Sequence, residues 1–473
     1  MNKMKAVAFQ DKYGNGYLYS FYRKRLLPLD PLLYNIVHAY LYLNKNEFDE
    51  IYKCNIITQK RFEFLKSYLF LEEKQISMDA NISVDDILYN LKNLPVLIFE
   101  LTEKCNLKCK YCIYGEMYVV NSKHNDIDMT FDLAKSIIDY FVNLKNKISI
   151  HKSQQTISFY GGEPLLRFDL IKQIVEYTNS IDCIKYNYTI TTNGLLLGKY
   201  YKQLANWGIR LLISLDGDEY SSQYRKTKSG NTSFSIIYNN ILNLKKQYPK
   251  YFKYNVSFNS VMHDKNPLDK LLDFMKSNFG KEPQCSSLSS AYLNENSIEE
   301  YHKMSNNDFG KINKKCRDLS TEYVFTMRSN IAAIISFMNA YSGYRFQDMK
   351  SLVCFSQEEH YIPSGTCTPF LVRLLVSAEG VLFPCERIGY TYSLGRVTSD
   401  NEIEIKLSEI SDYYNSMYKK IASKCSICYN VYNCSTCLFQ NDFSCKVVNR
   451  TDFENKIKNV IDDIIQYGYM FKR

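Results

Sequence analysis

Residues 96–112 read VLIFELTEKCNLKCKYC, a short apolar run followed at once by Cys105, Cys109 and Cys112 at C-x3-C-x2-C spacing. The run has the length and composition of a buried strand, and in α/β folds the loop after a strand is where chemistry sits. Three thiolates on one short loop hold three irons of a cubane cluster and leave the fourth iron open to a substrate or cofactor. The same residues also suit buried or zinc-binding thiols. With 15 cysteines in 473 residues, this spacing arises by chance in roughly 1 or 2% of chains, so context decides between the readings.

Downstream, TISFY at 156–160, YTIT at 188–191, RLLIS at 210–214 and YNVSFNSV at 254–261 alternate with helical stretches. Such alternation predicts β/α units around a parallel sheet. Between the first two strands Thr130 caps a helix whose inner face is Leu133, Ile137 and Phe141. Upstream of Pro95 the texture differs. An Asn15-Gly16 turn between VAF and YLYSFY predicts a β-hairpin. A helix begins at Asp30-Pro31 with Leu33, Ile36, Val37, Tyr40 and Leu41 at helical spacing, and a second stripe after Thr58 holds Phe62, Leu65 and Leu69. The expected division is a small α+β, winged-helix-like module over 1–92, a partial (β/α)6-type barrel over 93–300, and a helical connection over 301–353. A cysteine-rich domain over 354–450 and a C-terminal helix over 451–473, with Phe453, Ile457, Val460, Ile461 and Ile464 on one face, complete the chain.

Composition narrows the class. Hydrophobic residues are 45% and charged residues 23%, ordinary for a globular protein. There is no signal-peptide-like start and no run near 18 uninterrupted apolar residues, so a cytoplasmic protein without a membrane partner is expected. Fifteen cysteines without an export signal point to metal or redox chemistry rather than disulfides. The formal charge of +9 is a weak signal, because each thiolate-bound cluster subtracts about one or two charges. No nucleic-acid partner is expected.

The loop at 105–112, including Tyr111 before its third cysteine, resembles the signature of the radical S-adenosylmethionine superfamily. Gly161, Gly162 and Glu163 in FYGGEP are similar to that superfamily's segment holding the amino group of the methionine moiety. Two glycines allow close backbone approach, and a carboxylate suits an ammonium. Thr192 and Asn193 in TTNG resemble the third-strand loop, and Ser214 and Arg225 resemble positions contacting the cofactor's carboxylate or ribose. Taken singly, these residues also read as strand-end caps and turns. The resemblance implies reductive cleavage of S-adenosylmethionine at a [4Fe–4S] cluster, giving a 5′-deoxyadenosyl radical that abstracts a substrate hydrogen.

Cys367, Gly380 and Cys385 at C-x12-G-x4-C, followed by Cys425, Cys428, Cys434, Cys437 and Cys445, look like the SPASM domain of radical maturases. The family's last gap is x3 and here it is x2. By family analogy one auxiliary cluster uses Cys425, Cys428, Cys434 and Cys445. Another uses Cys367, Cys385 and Cys437, with Cys354 a candidate fourth ligand. Three [4Fe–4S] clusters follow in all. Two CxxC pairs can also be read as zinc ligands of a binding module. Cys54, Cys183, Cys285 and Cys316 are expected to be buried apolar thiols.

The family resemblance implies modification of a precursor peptide, with an electron donor such as flavodoxin or ferredoxin. The module ahead of the barrel is similar to leader-recognition elements of peptide maturases; it also reads as a structural cap. Anaerobic sulfatase maturases are the alternative family. Glu386 follows Cys385 where those enzymes usually carry an Asp proposed as base, so it is the candidate proton acceptor.

Overall fold

The computed structural model describes residues 4–53, 55–119, 126–146, 153–289, 292–305, 334–341, 361–363, 368–388, 390, 392–434, 436–439, 445 and 447–467. The chain packs as two compact units. One takes Met1–Ile82, Cys316–Thr366 and Tyr413–Arg473, and the other Ser83–Lys315 and Cys367–Asp412. The N-terminal module thus shares a unit with the C-terminal segments instead of standing alone.

In the first unit, β1 (Val7–Gln10), β2 (Gly16–Ser20) and β3 (Arg25–Leu29) form an antiparallel sheet in that order. The β1–β2 turn centres before the Asn-Gly pair. Asp11 Oδ1 accepts the Tyr13 and Asn15 amide hydrogens, both at 2.9 Å, and Gly14 takes the positive φ, so Gly16 already belongs to β2. The third strand was not expected. Helix α1 (Pro31–Tyr42) starts as the sequence predicts, with the Asp30 carboxylate accepting the Leu32 and Leu33 amide hydrogens. It buries Leu33, Ile36 and Val37, with Tyr40 left 39% exposed. After α2 (Lys45–Tyr52), α3 (Ile56–Ser67) buries Phe62 and Leu65; Leu69 lies beyond its end with φ 63°.

The second unit opens with α4 (Val84–Lys92), capped by a Ser83–Asp86 box. Its strands are β4 (Val96–Glu100), the short β5 (Leu107–Cys109), β6 (Ser153–Tyr160), β7 (Ile184–Thr192), β8 (Arg210–Ser214), the short β9 (Arg225–Thr227), β10 (Val256–Met262) and β11 (Pro283–Ser287). Strands β4, β6, β7, β8, β10 and β11 pair parallel in succession. The crossovers are α5 (Phe131–Asn146), α6 (Phe168–Asn179), α7 (Leu197–Asn206), α8 (Phe234–Gln247) with α9 (Pro249–Asn255), and α10 (Leu268–Phe279); α11 (Ile298–Met304) follows β11. Leu97, Phe99, Ile157, Phe159, Ile190, Ile213 and Phe258 are buried, as strands covered by helices require.

The sheet continues past β4. Strand β12 (Leu374–Val376) pairs parallel with it, and β13 (Val381–Phe383), β14 (Gly395–Val397) and β15 (Ile403–Glu404) add antiparallel strands. The segment bearing Cys385 therefore extends the barrel sheet. Helix α12 (Leu407–Cys425) runs on to the last cysteine group, and α13 (Arg450–Tyr467) follows it. Phe453 and Ile457 of α13 share one core with Val7, Phe9, Tyr19 and Phe21 of the N-terminal sheet, and with Tyr341 and Tyr429. No helix among the described residues is long and apolar enough to cross a membrane.

Candidate functional site

The loop after β4 is pinned at its middle. Strand β5 pairs antiparallel with β9, which sets Cys109 opposite Arg225. The Cys112 amide donates to the Cys109 carbonyl at 3.1 Å, and Gly115 N–H to the Cys112 carbonyl at 2.7 Å, curling the segment. Burial pushes the Cys105 thiol up to about 11 and Cys112 to about 12, each further raised by its neighbouring cysteines; burial raises Cys109 as well. The thiols are therefore neutral without a ligand, and loading them with metal releases protons.

The two glycines after β6 are required by crowding. A Cβ on Gly161, at φ 137°, would lie 2.3 Å from the Thr102 carbonyl oxygen, and one on Gly162 would lie 2.3 Å from that of Lys104. Backbone rests on backbone here: Gly162 N–H donates to Thr102 at 2.8 Å and Glu163 N–H to Lys104 at 2.9 Å. Glu163 is buried. Its Oε1 accepts the Thr192 hydroxyl at 2.7 Å and the Leu165 amide at 3.1 Å. Its Oε2 accepts the Asn193 amide at 2.7 Å. Burial lifts its pKa to about 6 against the pull of these donors. The carboxylate thus joins the second and third strand loops. Asn193 in turn donates through Nδ2 to Asn106 Oδ1 at 2.8 Å, with Cys105 Sγ 3.8 Å from the same nitrogen.

Behind the cysteine loop lies a buried polar cluster that sequence reading found only in part. Tyr111 hydrogen-bonds Asp216, and Arg225 Nη1 donates to the Tyr111 hydroxyl oxygen at 2.9 Å. Asp216 is fully buried, as is His263, whose Nε2 lies 3.8 Å from it. Because His263 Nδ1 accepts the Lys265 amide hydrogen at 3.2 Å, Nε2 is the donating nitrogen. Burial opposes the Asp216 charge, but His263, Arg225, Tyr111 and the Val261 amide outweigh it and hold the carboxyl below its ordinary pKa. The available signal for Asp216 was its place just past a strand end, two residues after Ser214, which itself closes β8 opposite Asn259. Among the described residues the Arg225 Nε is a buried donor with no hydrogen-bond partner.

Glu386 is ion-paired: its Oε1 accepts Arg373 Nη1 at 2.7 Å and lies 3.6 Å from Arg387 Nε. The sequence reading missed a second carboxylate, Glu100 at the end of β4. It is fully buried and accepts the Tyr390 hydroxyl at 2.5 Å and the Ala378 amide at 3.2 Å. Burial pushes its pKa up to about 7, the Glu103 and Glu379 charges acting the same way.

In the other unit Cys425, Cys428, Cys434 and Cys445 line one small cavity together with Lys424 and Val431. Burial raises Cys425 to about 12, with Cys434, Cys445 and Cys428 adding to it. Cys437 is half-buried and outside that lining. Cys354 and Cys367 lie outside the described residues, as do Cys54 and Cys316, while Cys183 and Cys285 are half-buried rather than buried. Among the described residues no three His, Cys, Asp or Glu side chains are placed to hold a single ion. Zinc needs four sulfurs about 3.8 Å apart, whereas a cubane carries one thiolate per iron and takes a wider ring.

Residues 99–277 match the Radical SAM superfamily. The chain is 25% identical over 238 residues to the radical SAM cyclopropyl synthase TigE of Paramaledivibacter caminithermalis, covering 49% of this chain and 48% of that protein. It is 30% identical over 208 residues to the serine-type anaerobic sulfatase-maturating enzyme of Bacteroides thetaiotaomicron, covering 41% and 45%. The chain spans about half the length of the curated relatives it matches. A solved structure of native anSMEcpe with bound AdoMet shares the fold at 18% identity and TM-score 0.52, over 79% of this chain and 97% of that one. Residues 99–277 thus carry a domain that matches the radical SAM superfamily.

Proposed function

We propose that this protein modifies a ribosomally made peptide, whose leader docks on the N-terminal sheet. Cys105, Cys109 and Cys112 would hold a [4Fe–4S] cluster, and their donor set fits it: three converging thiols with the Arg225 guanidinium opposite. When bound, cluster and S-adenosylmethionine supply reductive cleavage and a radical that abstracts a substrate hydrogen. The chain's own residues hold the approach. Glu163 fixes the loops at 161–163 and 192–194, and the spare Arg225 Nε is a donor for a carboxylate or ribose oxygen. Cys425, Cys428, Cys434 and Cys445 would take one auxiliary cluster, and Cys367, Cys385 and Cys437, with Cys354, another. Glu386 stands beside Cys385 as the proton acceptor, oriented by Arg373.

The observation that carries the peptide reading is the place of β3 at the edge of the N-terminal sheet. Among the described strands, only β2 stands beside β3 in the sheet order. Helix α3 and its end are tied to the residues flanking β3, by Arg61 to Asp30 at 2.5 Å and by Arg23 Nε to the Tyr68 carbonyl at 2.9 Å. Ile57 and Phe64 of α3 and Tyr68 just after it stay more than half exposed. The segments that carry these contacts are basic, with Arg23, Lys24 and Arg25 leading into β3 and Lys60 and Arg61 in α3. An acidic, partly apolar segment adds to such an edge as a further strand. The double variant Ile57→Asp with Phe64→Asp should lose about tenfold or more in affinity for the peptide of an adjacent short reading frame, while uncoupled S-adenosylmethionine cleavage persists. Unchanged binding and processing by this variant would leave β3 and α3 as a structural cap. The similarity to the sulfatase-maturating enzyme favours a second reading, in which the target is a residue of a protein substrate, and that outcome would support it.

A further inference from the structure

A cleft of about 590 Å3 opens beside the cysteine loop, with Cys109 in its wall and Lys108, Lys110, Lys226 and Lys265 around it. Two of the four lysines are matched by carboxylates: Lys108 by Glu116 at 2.7 Å, and Lys110 by Glu300. Lys265 donates to the neutral Gln223 Oε1 at 2.8 Å, its ammonium 4.6 Å from the Tyr224 ring centre. Lys226 is exposed and stands directly across the β5–β9 ladder from Lys108. With Glu116 and Glu300, the carboxylates of this lining, taken by Lys108 and Lys110, Lys226 and Lys265 face no carboxylate among the described residues of the cleft wall. The cleft therefore holds uncompensated positive charge at the place where a thiol of the cysteine loop reaches its wall.

We propose that this cleft is the docking face for an acidic one-electron carrier protein. The proposal rests on the radical SAM reading of Cys105, Cys109 and Cys112 and adds the surface through which their cluster is reduced. The step is one electron: the carrier is oxidised by one, the cluster is reduced by one, and no bond or proton moves. A small anion site would bury its donors, whereas the Lys108 side chain is 70% exposed. Exposed flexible cations suit a transient protein encounter, in which charge sets the association rate and salt weakens it. Such encounters bury little surface and are released readily.

The test uses the reconstituted full chain and a purified acidic flavodoxin. The double variant Lys226→Glu with Lys265→Glu should lose about tenfold or more in flavodoxin affinity and in flavodoxin-driven cluster reduction at low salt, and the difference should shrink at high salt. The milder Lys226→Ala with Lys265→Ala should fall between, and exposed Lys202→Glu should match wild type. With dithionite as reductant all variants should form 5′-deoxyadenosine at the wild-type rate, because a small reductant bypasses docking. Equal flavodoxin affinity in wild type and double variant overturns the proposal, as does stoichiometric binding of inorganic pyrophosphate that the double variant abolishes. A wild-type protein that holds no iron at the loop, or fails with dithionite, overturns the radical reading and the docking face with it.

Discussion

The Asn193 amide hydrogen is accepted by Glu163 Oε2 at 2.7 Å, so the acid of the GGE segment braces the next loop. The hydrogen-bond partners of this carboxylate are donors: the Thr192 hydroxyl and the Leu165 and Asn193 amides. In Glu163→Gln the new NH2 must face one of them. Leaving a buried donor unmatched costs about 1–3 kcal/mol. The variant should melt lower and bind S-adenosylmethionine more weakly, since Asn193 also contacts Asn106 beside Cys105. Calorimetric binding equal to wild type would remove the bracing role.

Glu100 makes stability fall with rising pH. Its folded pKa, about 7, lies above the ordinary 4.5. Stabilisation by the proton is complete below 4.5 and is lost as pH rises through 7, about 3 kcal/mol in all at full burial. Glu100→Gln keeps a neutral side chain at every pH. Its denaturation midpoint should therefore change less than the wild-type midpoint between about pH 5 and about pH 8. Parallel curves for the two proteins would show that Glu100 is not the group responsible.

The cavity of Cys425, Cys428, Cys434 and Cys445 predicts a split between neighbouring cysteines. Cys434→Ala should lose about four irons per chain relative to the reconstituted parent, the content of one cubane. Cys437→Ala should keep the cluster in that cavity and alter only the set containing Cys385. Iron and sulfide analysis with electron paramagnetic resonance reads both. The same iron loss from either variant would mean that Cys437 belongs to this ring.

The parts legible in the sequence are those with strong local signals. Five parallel strands stand near their expected positions, because apolar runs between helices have few other places to go. The Asp30 cap and the Thr130 cap, whose hydroxyl accepts the Leu133 amide at 3.3 Å, were readable for the same reason. Strand β3, RLLPL, carries Pro28 and lacks alternation, and β11, PQCSS, is polar, so each became visible only through its partner strand. Asp216 and His263 meet across 47 residues of chain, counting from 216 to 263, and no spacing rule pairs one acid with one imidazole. The extension of the sheet by β12–β15 is likewise a long-range pairing, Leu374 against Leu97.

The core shared by the chain's two ends governs its synthesis. The Tyr19 hydroxyl donates to the Tyr341 carbonyl at 2.8 Å, and the Tyr341 hydroxyl to the Tyr429 carbonyl at 3.1 Å, next to Cys428. Phe21 stacks edge-on against Tyr429 and also meets Phe453. Strands β1 and β2 thus wait for α13 before their apolar face is covered, while the intervening unit has all its own strands earlier in the sequence than α13. Contacts this distant form slowly and leave an open sheet edge and aromatic surface in the interim, a setting for chaperone capture or aggregation. Closing the N-terminal sheet and assembling the four-cysteine cavity become a single late event. Iron starvation should then show itself first as proteolytic sensitivity near residue Phe9, far in sequence from any cysteine of that cavity.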